Sequence, residues 1–296
     1  MREAGSSKRS KNLMSEPMVS PSIIEVNNLA KSFWVNEREL RVFEDFSCLI
    51  EKESFLSIIG PSGCGKSTLL KIISGLEIPS KGRITFKNRI VDGPPKGMIY
   101  VFQQYTKSIF PWRTVIENIE FGLSSQKKLG KKESQERCQE YIHLVGLDGY
   151  ENYHPYQLSG GMQQRVCIAR ALICEPDVLL MDEPFSAVDA MTRAILQELI
   201  LRIWETLPIT ILFVTHDVEE AVFLSTRIIS LSKAPAVIKD DVVIDLPFPR
   251  DPVKTRGDAR FTTLRQRLFS SIFMEEKIIY EVVADNNGSS DEGTSS

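Results

Sequence analysis

The sequence predicts an α/β protein built on a mostly parallel sheet, and three observations predict it. The first is a pair of short, nearly unbroken apolar runs, Val178-Leu179-Leu180-Met181 and Ile209-Thr210-Ile211-Leu212-Phe213-Val214. Such runs suit strands covered on both faces. The second is the segment between them, with Ile195, Leu199 and Ile203 on one helical face, so that strand and helix alternate as a parallel sheet requires. The third is a glycine-rich loop from Gly60 to Thr68, which follows the apolar run Phe55 to Ile59 and precedes Leu69-Leu70-Lys71-Ile72-Ile73 at helical spacing. A loop that leaves a strand and opens a helix in this way belongs to an α/β sheet.

The elements follow in order. Residues 1–21 are rich in Ser, Lys and Arg and poor in large apolar side chains, which predicts a disordered extension. Glu3 and Glu16 and the lack of amphipathic periodicity argue against an organelle-targeting segment. Ile23-Ile24-Glu25-Val26, Val42 to Ile50 and Phe55 to Ile59 predict an opening antiparallel β layer feeding the loop. Gly82 to Phe86 and Met98 to Phe102 are further short strands. From Trp112 to Leu158 the sequence turns charged and helix-favouring, with Tyr141, Leu144 and Val145 at amphipathic spacing. This reads as a small helical insertion over residues 105–160 of a unit spanning 22–245. A link punctuated by Pro247, Pro249 and Pro252 and a helix carrying Phe261, Leu264 and Leu268 occupy residues 246–284. The polar, acidic tail, 285–296, is predicted to be disordered.

Bulk properties exclude several classes. The 296 residues are 42% hydrophobic and 25% charged, with a net charge of -3, which makes no electrostatic case for nucleic acid or an anionic membrane surface. No apolar run approaches the roughly 20 residues that span a bilayer, and the N-terminus lacks the apolar core of a secretory signal, so the cytosol is expected. Cys48, Cys64, Cys138, Cys167 and Cys174 are scattered and odd in number, without disulfide or metal-ligand spacing. The three histidines form no metal cluster.

The chemistry begins at Gly60-Pro61-Ser62-Gly63-Cys64-Gly65-Lys66-Ser67-Thr68, which fits G-x-x-x-x-G-K followed by Ser or Thr. Its glycines let the backbone wrap an anion, and its N–H groups converge on phosphates at a helix start. Lys66 can reach the outer phosphates, and the Ser67 hydroxyl can take one place on Mg²⁺. Cys64, near a helix N-terminus and Lys66, either has a lowered thiol pKa or merely fills a small-residue slot. The first alternative predicts that alkylation inhibits and that ATP protects. At the end of Val178 to Met181 stand Asp182 and Glu183, one placed for Mg²⁺ and the other to polarise a water attacking the γ-phosphate.

A third element, Leu158-Ser159-Gly160-Gly161-Met162-Gln163-Gln164-Arg165, opens a helix through Ala169, Arg170, Ala171 and Leu172. Here the sequence resembles the ATP-binding subunits of ATP-binding-cassette (ABC) transporters, whose signature is L-S-G-G-x-Q. The resemblance covers roughly Ile23 to Ile272. It implies a P-loop NTPase fold of the ABC nucleotide-binding type, with an antiparallel β subdomain and an inserted helical subdomain. It also implies that Ser159, Gly160, Gly161 and Gln163 act in trans, so that two chains sandwich two ATP molecules head to tail. Gln103 matches the Q-loop position, Asp189 in Ser186-Ala187-Val188-Asp189 the D-loop, and His216 the switch histidine that contacts the γ-phosphate. Phe33 falls where the family stacks an aromatic ring on adenine, with Trp34 beside it. The catalytic set so implied is Glu183, His216 and Lys66, with Ser67, Gln103 and Asp182 around Mg²⁺.

Three kinds of ABC ATPase compete: an importer subunit, an exporter or lipid-transport subunit, and a soluble ATPase of repair or translation. Gln103 and Leu158 lie about 55 positions apart, room for a small helical subdomain and none for the coiled coil of repair enzymes. One of each motif excludes the double cassette of the translation type. Phe110-Pro111-Trp112-Arg113-Thr114-Val115-Ile116-Glu117-Asn118, Val214 to Ala221 and Pro247-Phe248-Pro249-Arg250-Asp251 resemble the nitrate/sulfonate/taurine importers. That resemblance implies a homodimer, or a heterodimer with a related ATPase, under integral membrane permease subunits. It also implies a solute-binding protein and a peripheral position on the cytoplasmic side of the membrane. Pro111 and Trp112 either rim a docking site for a short permease helix or belong to the core.

Overall fold

The computed structural model describes residues 21–125 and 129–272. The tail and, apart from Pro21, the N-terminal extension lie outside them. Along the chain run β1 (Ser22–Val35), β2 (Arg38–Glu51), β3 (Phe55–Ile59), α1 (Lys66–Ile73), β4 (Lys81–Phe86), β5 (Arg89–Ile90) and β6 (Met98–Val101). Four helices follow, α2 (Tyr105–Ser108), α3 (Val115–Glu120), α4 (Lys131–Leu144) and α5 (Gly160–Leu172). Then come β7 (Val178–Asp182), α6 (Ala190–Thr206), β8 (Thr210–Val214), α7 (Val218–Leu224), β9 (Arg227–Leu231), β10 (Ile238–Val243) and a last helix, α8, over 259–272.

The strands form two sheets. One is antiparallel, in the order β2-β1-β4-β5; the other runs β10-β9-β3-β8-β7-β6 and is parallel except for β10. Phe55 to Ile59, expected in the antiparallel layer, instead forms β3 near the centre of the parallel sheet, between β8 and β9. All five of its residues are buried, which only a strand covered on both faces allows. The period of two then divides each central strand between two cores. Phe55 and Ile59, Leu179 and Met181, and Ile211 and Phe213 face the helices. Leu56 and Ile58, Val178 and Leu180, and Leu212 and Val214 face α1 and the antiparallel sheet. Each fully buried Leu, Ile or Phe contributes about 1.5–3 kcal/mol, so this double burial fixes strand register. The one polar residue in β3, Ser57, is wholly buried and accepts a hydrogen bond from the Ser225 hydroxyl.

The helices correct two readings of face. In α6 the expected Leu199 and Ile203 are buried, together with Leu196, Gln197, Ile200, Leu201 and Trp204, while Ile195 is exposed. One residue is a 100° turn, and the stripe that meets the sheet starts one position later than the spacing suggested. In α4 the inward stripe is Cys138 and Ile142, continued by Val145, with Tyr141 and Leu144 half-buried at its edge. The insertion α2–α5 packs beside the edge strand β6. Its first turn is tied by buried Asn118, whose amide donates to the carbonyls of Phe110, Arg113 and Thr114 at 3.0–3.1 Å and accepts from Phe110 N–H at 2.9 Å. That knot displays Trp112 at 71% exposure, a surface ring and no part of the core.

Candidate functional site

Four neighbouring parallel strands end on one side of the sheet, and each delivers one part of the site. From β3 comes the loop Gly60 to Gly65. It tolerates no bulk at Gly65, which has φ +108° and where a Cβ would stand 2.3 Å from Val42 Cγ1 of β2. The antiparallel sheet therefore braces the loop from behind. Gly65→Ala is expected to cost about 2 kcal/mol or more and to abolish nucleotide binding, read by Tm and by titration with a fluorescent ATP analogue. Lys66 is buried, and its ammonium donates to the carbonyls of Gly60 at 2.7 Å and Pro61 at 2.9 Å, inside the curl of the loop. Ser62, Gly63, Ser67 and Thr68 complete the curl and the start of α1, where N–H groups lack helical acceptors.

From β7 come the two carboxylates, and the backbone separates their tasks. Asp182, the last strand residue, accepts from Ser67 Oγ on Oδ1 and from the Tyr100 hydroxyl on Oδ2, both at 2.8 Å. Glu183 turns away with φ +43°, and its N–H donates to the Val214 carbonyl of β8 at 2.9 Å. Its Oε2 accepts from Gln103 Nε2, just past β6, at 3.3 Å and lies 3.1 Å from Nδ1 of His216, just past β8. Gln103 Nε2 also reaches Ser186 Oγ at 3.4 Å. Loop lysine, acid pair, glutamine and histidine thus meet at the strand ends. By sequence Tyr100 is only a strand residue, yet its hydroxyl fixes Asp182. Burial first, then the Asp182 charge, holds its phenol well above the usual range, so it stays a donor.

Capping side chains start three of the site's helices. Asp189 accepts from the N–H groups of Met191 and Thr192 at 3.0 Å and opens α6. These bonds and the Thr192 hydroxyl hold its carboxyl below the ordinary range. Asp217 opens α7 by accepting from Glu220 N–H at 3.1 Å. Ser159 opens α5 by accepting from Met162 N–H at 3.3 Å. Gly160 and Gly161 form its first turn, and Gly161 lets α6 approach: a Cβ there would stand 2.3 Å from Thr192 Cγ2. Gln163 turns its amide back on its own loop, donating to the carbonyls of Pro155 at 2.9 Å and Leu158 at 3.2 Å. These signature residues open α5, and the next residue, Gln164, donates to the Pro184 carbonyl just past Glu183.

Cys64 and Phe33 are both placed by their packing. Cys64 is 1% exposed and packs in the core with Leu69, Leu70 and Leu231, so it fills a small-residue slot and presents no thiol to a reagent. Phe33 is half-buried in β1 with the Lys31 ammonium 4.6 Å over its ring, while the neighbouring Trp34 is the exposed aromatic of the hairpin.

Behind the switch loop lies a buried polar pair that sequence reading missed. Glu220 accepts from Thr215 Oγ1 at 2.6 Å and from Gln197 Nε2 at 3.0 Å. Burial nevertheless pushes its carboxyl up from the ordinary value. A carboxyl that holds its proton more tightly folded than unfolded loses stability as pH rises through the folded pKa. Glu220→Gln is therefore expected to raise Tm at neutral pH, with the gain vanishing as pH falls below about 4. A pH series of thermal melts measures this, and a gain independent of pH would assign it to another cause.

On the far side, Ile99, Phe102, Phe110, Phe121, Arg170 and Cys174 are among the residues lining a cleft of about 410 Å³ between β6 and the helical insertion, close to exposed Trp112. Among the described residues no helix is long and apolar enough to cross a membrane.

Comparison with known proteins agrees with this layout. A family model described as ABC transporter matches residues 43–186. The aliphatic sulfonates import ATP-binding protein SsuB of Bacillus anthracis is 44% identical over 228 residues, 77% of this chain and 88% of that protein. The nitrate import ATP-binding protein NrtD of Synechocystis sp. is 42% identical over 233 residues, 79% of this chain and 86% of that protein. Among solved structures, a dimeric ATP-binding cassette in a post-hydrolysis state with ADP and phosphate superposes with a TM-score of 0.67 at 30% identity, covering 76% of this chain and all of that one.

Proposed function

Because the chain belongs to the ABC transporter ATP-binding family, as the ATP-hydrolysing subunit of an importer, we propose how its residues divide the work and what it serves. Two copies, or one copy and a related subunit, bind two ATP molecules head to tail. They sit on the cytoplasmic face of a membrane permease and drive uptake of a small anion of the aliphatic sulfonate, taurine or nitrate kind. A solute-binding protein delivers that anion to the permease. The convergence of Lys66, Ser67 with Asp182, and Gln103 with Glu183 and His216 at adjacent strand ends carries this reading.

In this site the loop N–H groups and Lys66 hold the phosphates, and His216 meets the γ-phosphate. Glu183 takes a proton from a water whose oxygen bonds to the γ-phosphorus while the bond to the ADP oxygen breaks. Gln103 and His216 both engage Glu183 Oε2, which orients the base before water arrives. The hard oxygens of Ser67 and Asp182, 2.8 Å apart beside the loop, suit Mg²⁺, which binds few protein ligands and keeps phosphate and water oxygens. Gln103 has its amide nitrogen engaged, so its carbonyl oxygen is the donor left for the ion or its water. When bound, Mg²⁺ offsets the negative charge of the phosphate oxygens. The Ser159 to Gln163 turn would close on the partner's nucleotide. The cleft beside Trp112 offers a short permease helix an apolar floor and an aromatic rim.

A mild-detergent purification of tagged protein from native membranes, with mass spectrometry, tests the reading. Recovery of a multi-spanning subunit, whose addition makes ATP turnover respond to sulfonate or nitrate with the solute-binding protein, supports it. A protein that stays free of membrane subunits, or that carries nucleic-acid factors, overturns the importer assignment and leaves the ATPase standing.

A further inference from the structure

The C-terminal segment beyond β10 lies outside the catalytic motifs, yet three of its arginines fasten one short helix, α7, which begins two residues after His216. Arg250 is buried, and its guanidinium donates to the carbonyls of Val222 at 3.1 Å, Phe223 at 2.7 Å and Ser225 at 2.7 Å, closing the C-terminal end of α7. Arg265 of α8 pairs with Glu219 at 2.6 Å. Arg256 lies 4.3 Å over the Phe223 ring and donates to Gln197 Oε1 at 2.8 Å.

The third contact continues inward. Gln197 Nε2 donates to Glu220 Oε1 at 3.0 Å, and Glu220 Oε2 accepts from Thr215 Oγ1 at 2.6 Å. Thr215 precedes His216 and also accepts from the Asp217 N–H at 3.0 Å. The amide of Gln197 thus has its donor and its acceptor both committed, in an order that Arg256 imposes. One turn earlier on α6, Arg193 stands 3.5 Å from Asp217, so residues four apart on the helix that Asp189 opens reach the loop after His216 and the α7 that it leads into. Because Gln197 and Glu220 are buried, breaking one link leaves the next group short of a partner at low local dielectric.

We propose that the segment 250–265 is a positioning element for the reaction, and that the chain Arg256–Gln197–Glu220–Thr215 sets where His216 stands against Glu183 and the γ-phosphate. Arg256, Gln197 and Glu220 are positioning residues, with no contact to nucleotide themselves. The inference rests on the catalytic reading of His216 given above.

The test uses the full-length protein and steady-state ATP turnover well below its melting temperature. Arg256→Ala is expected to lower kcat about tenfold while KM for ATP stays within about twofold, and Arg256→Lys to recover most of the loss. Gln197→Met keeps the buried volume and cuts the same chain. It is expected to match Arg256→Ala, with the double variant no slower than either single one. A lowered Tm with unchanged kcat in both single variants would make the segment merely structural and overturn the proposal. So would losses that multiply in the double variant. His216→Ala separates the premise: if it turns over normally, the histidine reading fails and the proposal with it. If it is inactive while Gln197→Met is normal, the positioning chain alone fails.

Discussion

Glu183→Gln binds ATP, assembles the nucleotide-bound dimer and turns over at about one-hundredth to one ten-thousandth of the wild-type rate, the usual worth of a positioned base. The amide keeps the shape of the site. With its oxygen in the Oε2 place it still accepts from Gln103 Nε2 and from a protonated His216 Nδ1, and the backbone bond from residue 183 to Val214 is untouched. What it loses is the ability to take a proton from water. Phosphate release gives the rate, equilibrium binding gives the affinity, and size-exclusion with and without ATP gives the assembly. Turnover within a few-fold of wild type would remove Glu183 from the role of base.

Arg250→Ala lowers stability by about 3–5 kcal/mol, because three buried carbonyls lose a charged donor at roughly 1–3 kcal/mol each. The guanidinium is 6% exposed, satisfies three carbonyls at the end of α7, and stacks 4.1 Å from the Phe248 ring. Burial pulls its pKa down, with the Glu205 charge partly offsetting. At about 2–4 °C per kcal/mol for a chain of this order, the melting temperature falls by roughly 6 °C or more. Arg250→Lys rescues little, because one ammonium cannot present the same planar set of donors. A melting temperature within about a degree of wild type would show that the three carbonyls find water equally well.

The parts of the site that sequence makes legible are those whose chemistry is local. Gly65 and Lys66 must be neighbours to wrap and neutralise a phosphate, and Asp182 and Glu183 must be adjacent to point apart at a strand end. Ser159, Asp189 and Asp217 each cap a helix that begins within two residues. Long-range contacts are less visible. Tyr100 and Asp182 are 82 positions apart, and nothing in Met98 to Val101 distinguishes a tyrosine that packs from one that donates to a carboxylate. Nothing in the sequence marks Gln197 and Glu220 as buried, because the partners that satisfy them sit on other elements. Phe55 to Ile59 has the composition of a strand, but the sheet it joins depends on what covers its second face. Cys64 shows the limit in the other direction: Ser62 and Lys66 stand near it in sequence, while in space it belongs to an apolar core cluster.

The central position of β3 bears on how the protein is made. The strand is held on one side by β8 and on the other by β9. At its base Glu53 N–H meets the Thr210 hydroxyl, 157 positions further along. The phosphate loop therefore leaves the ribosome early, and both strands that flank its own emerge late. A nascent chain halted before Thr210 carries the loop without either flanking strand, without His216, and without the backbone acceptor that orients Glu183. Pairing across such separations is slow, and the first half must wait for synthesis of the second before its sheet can close. ATP rewards only the finished arrangement: it acts as a ligand that locks the completed chain, and offers no template for the growing one.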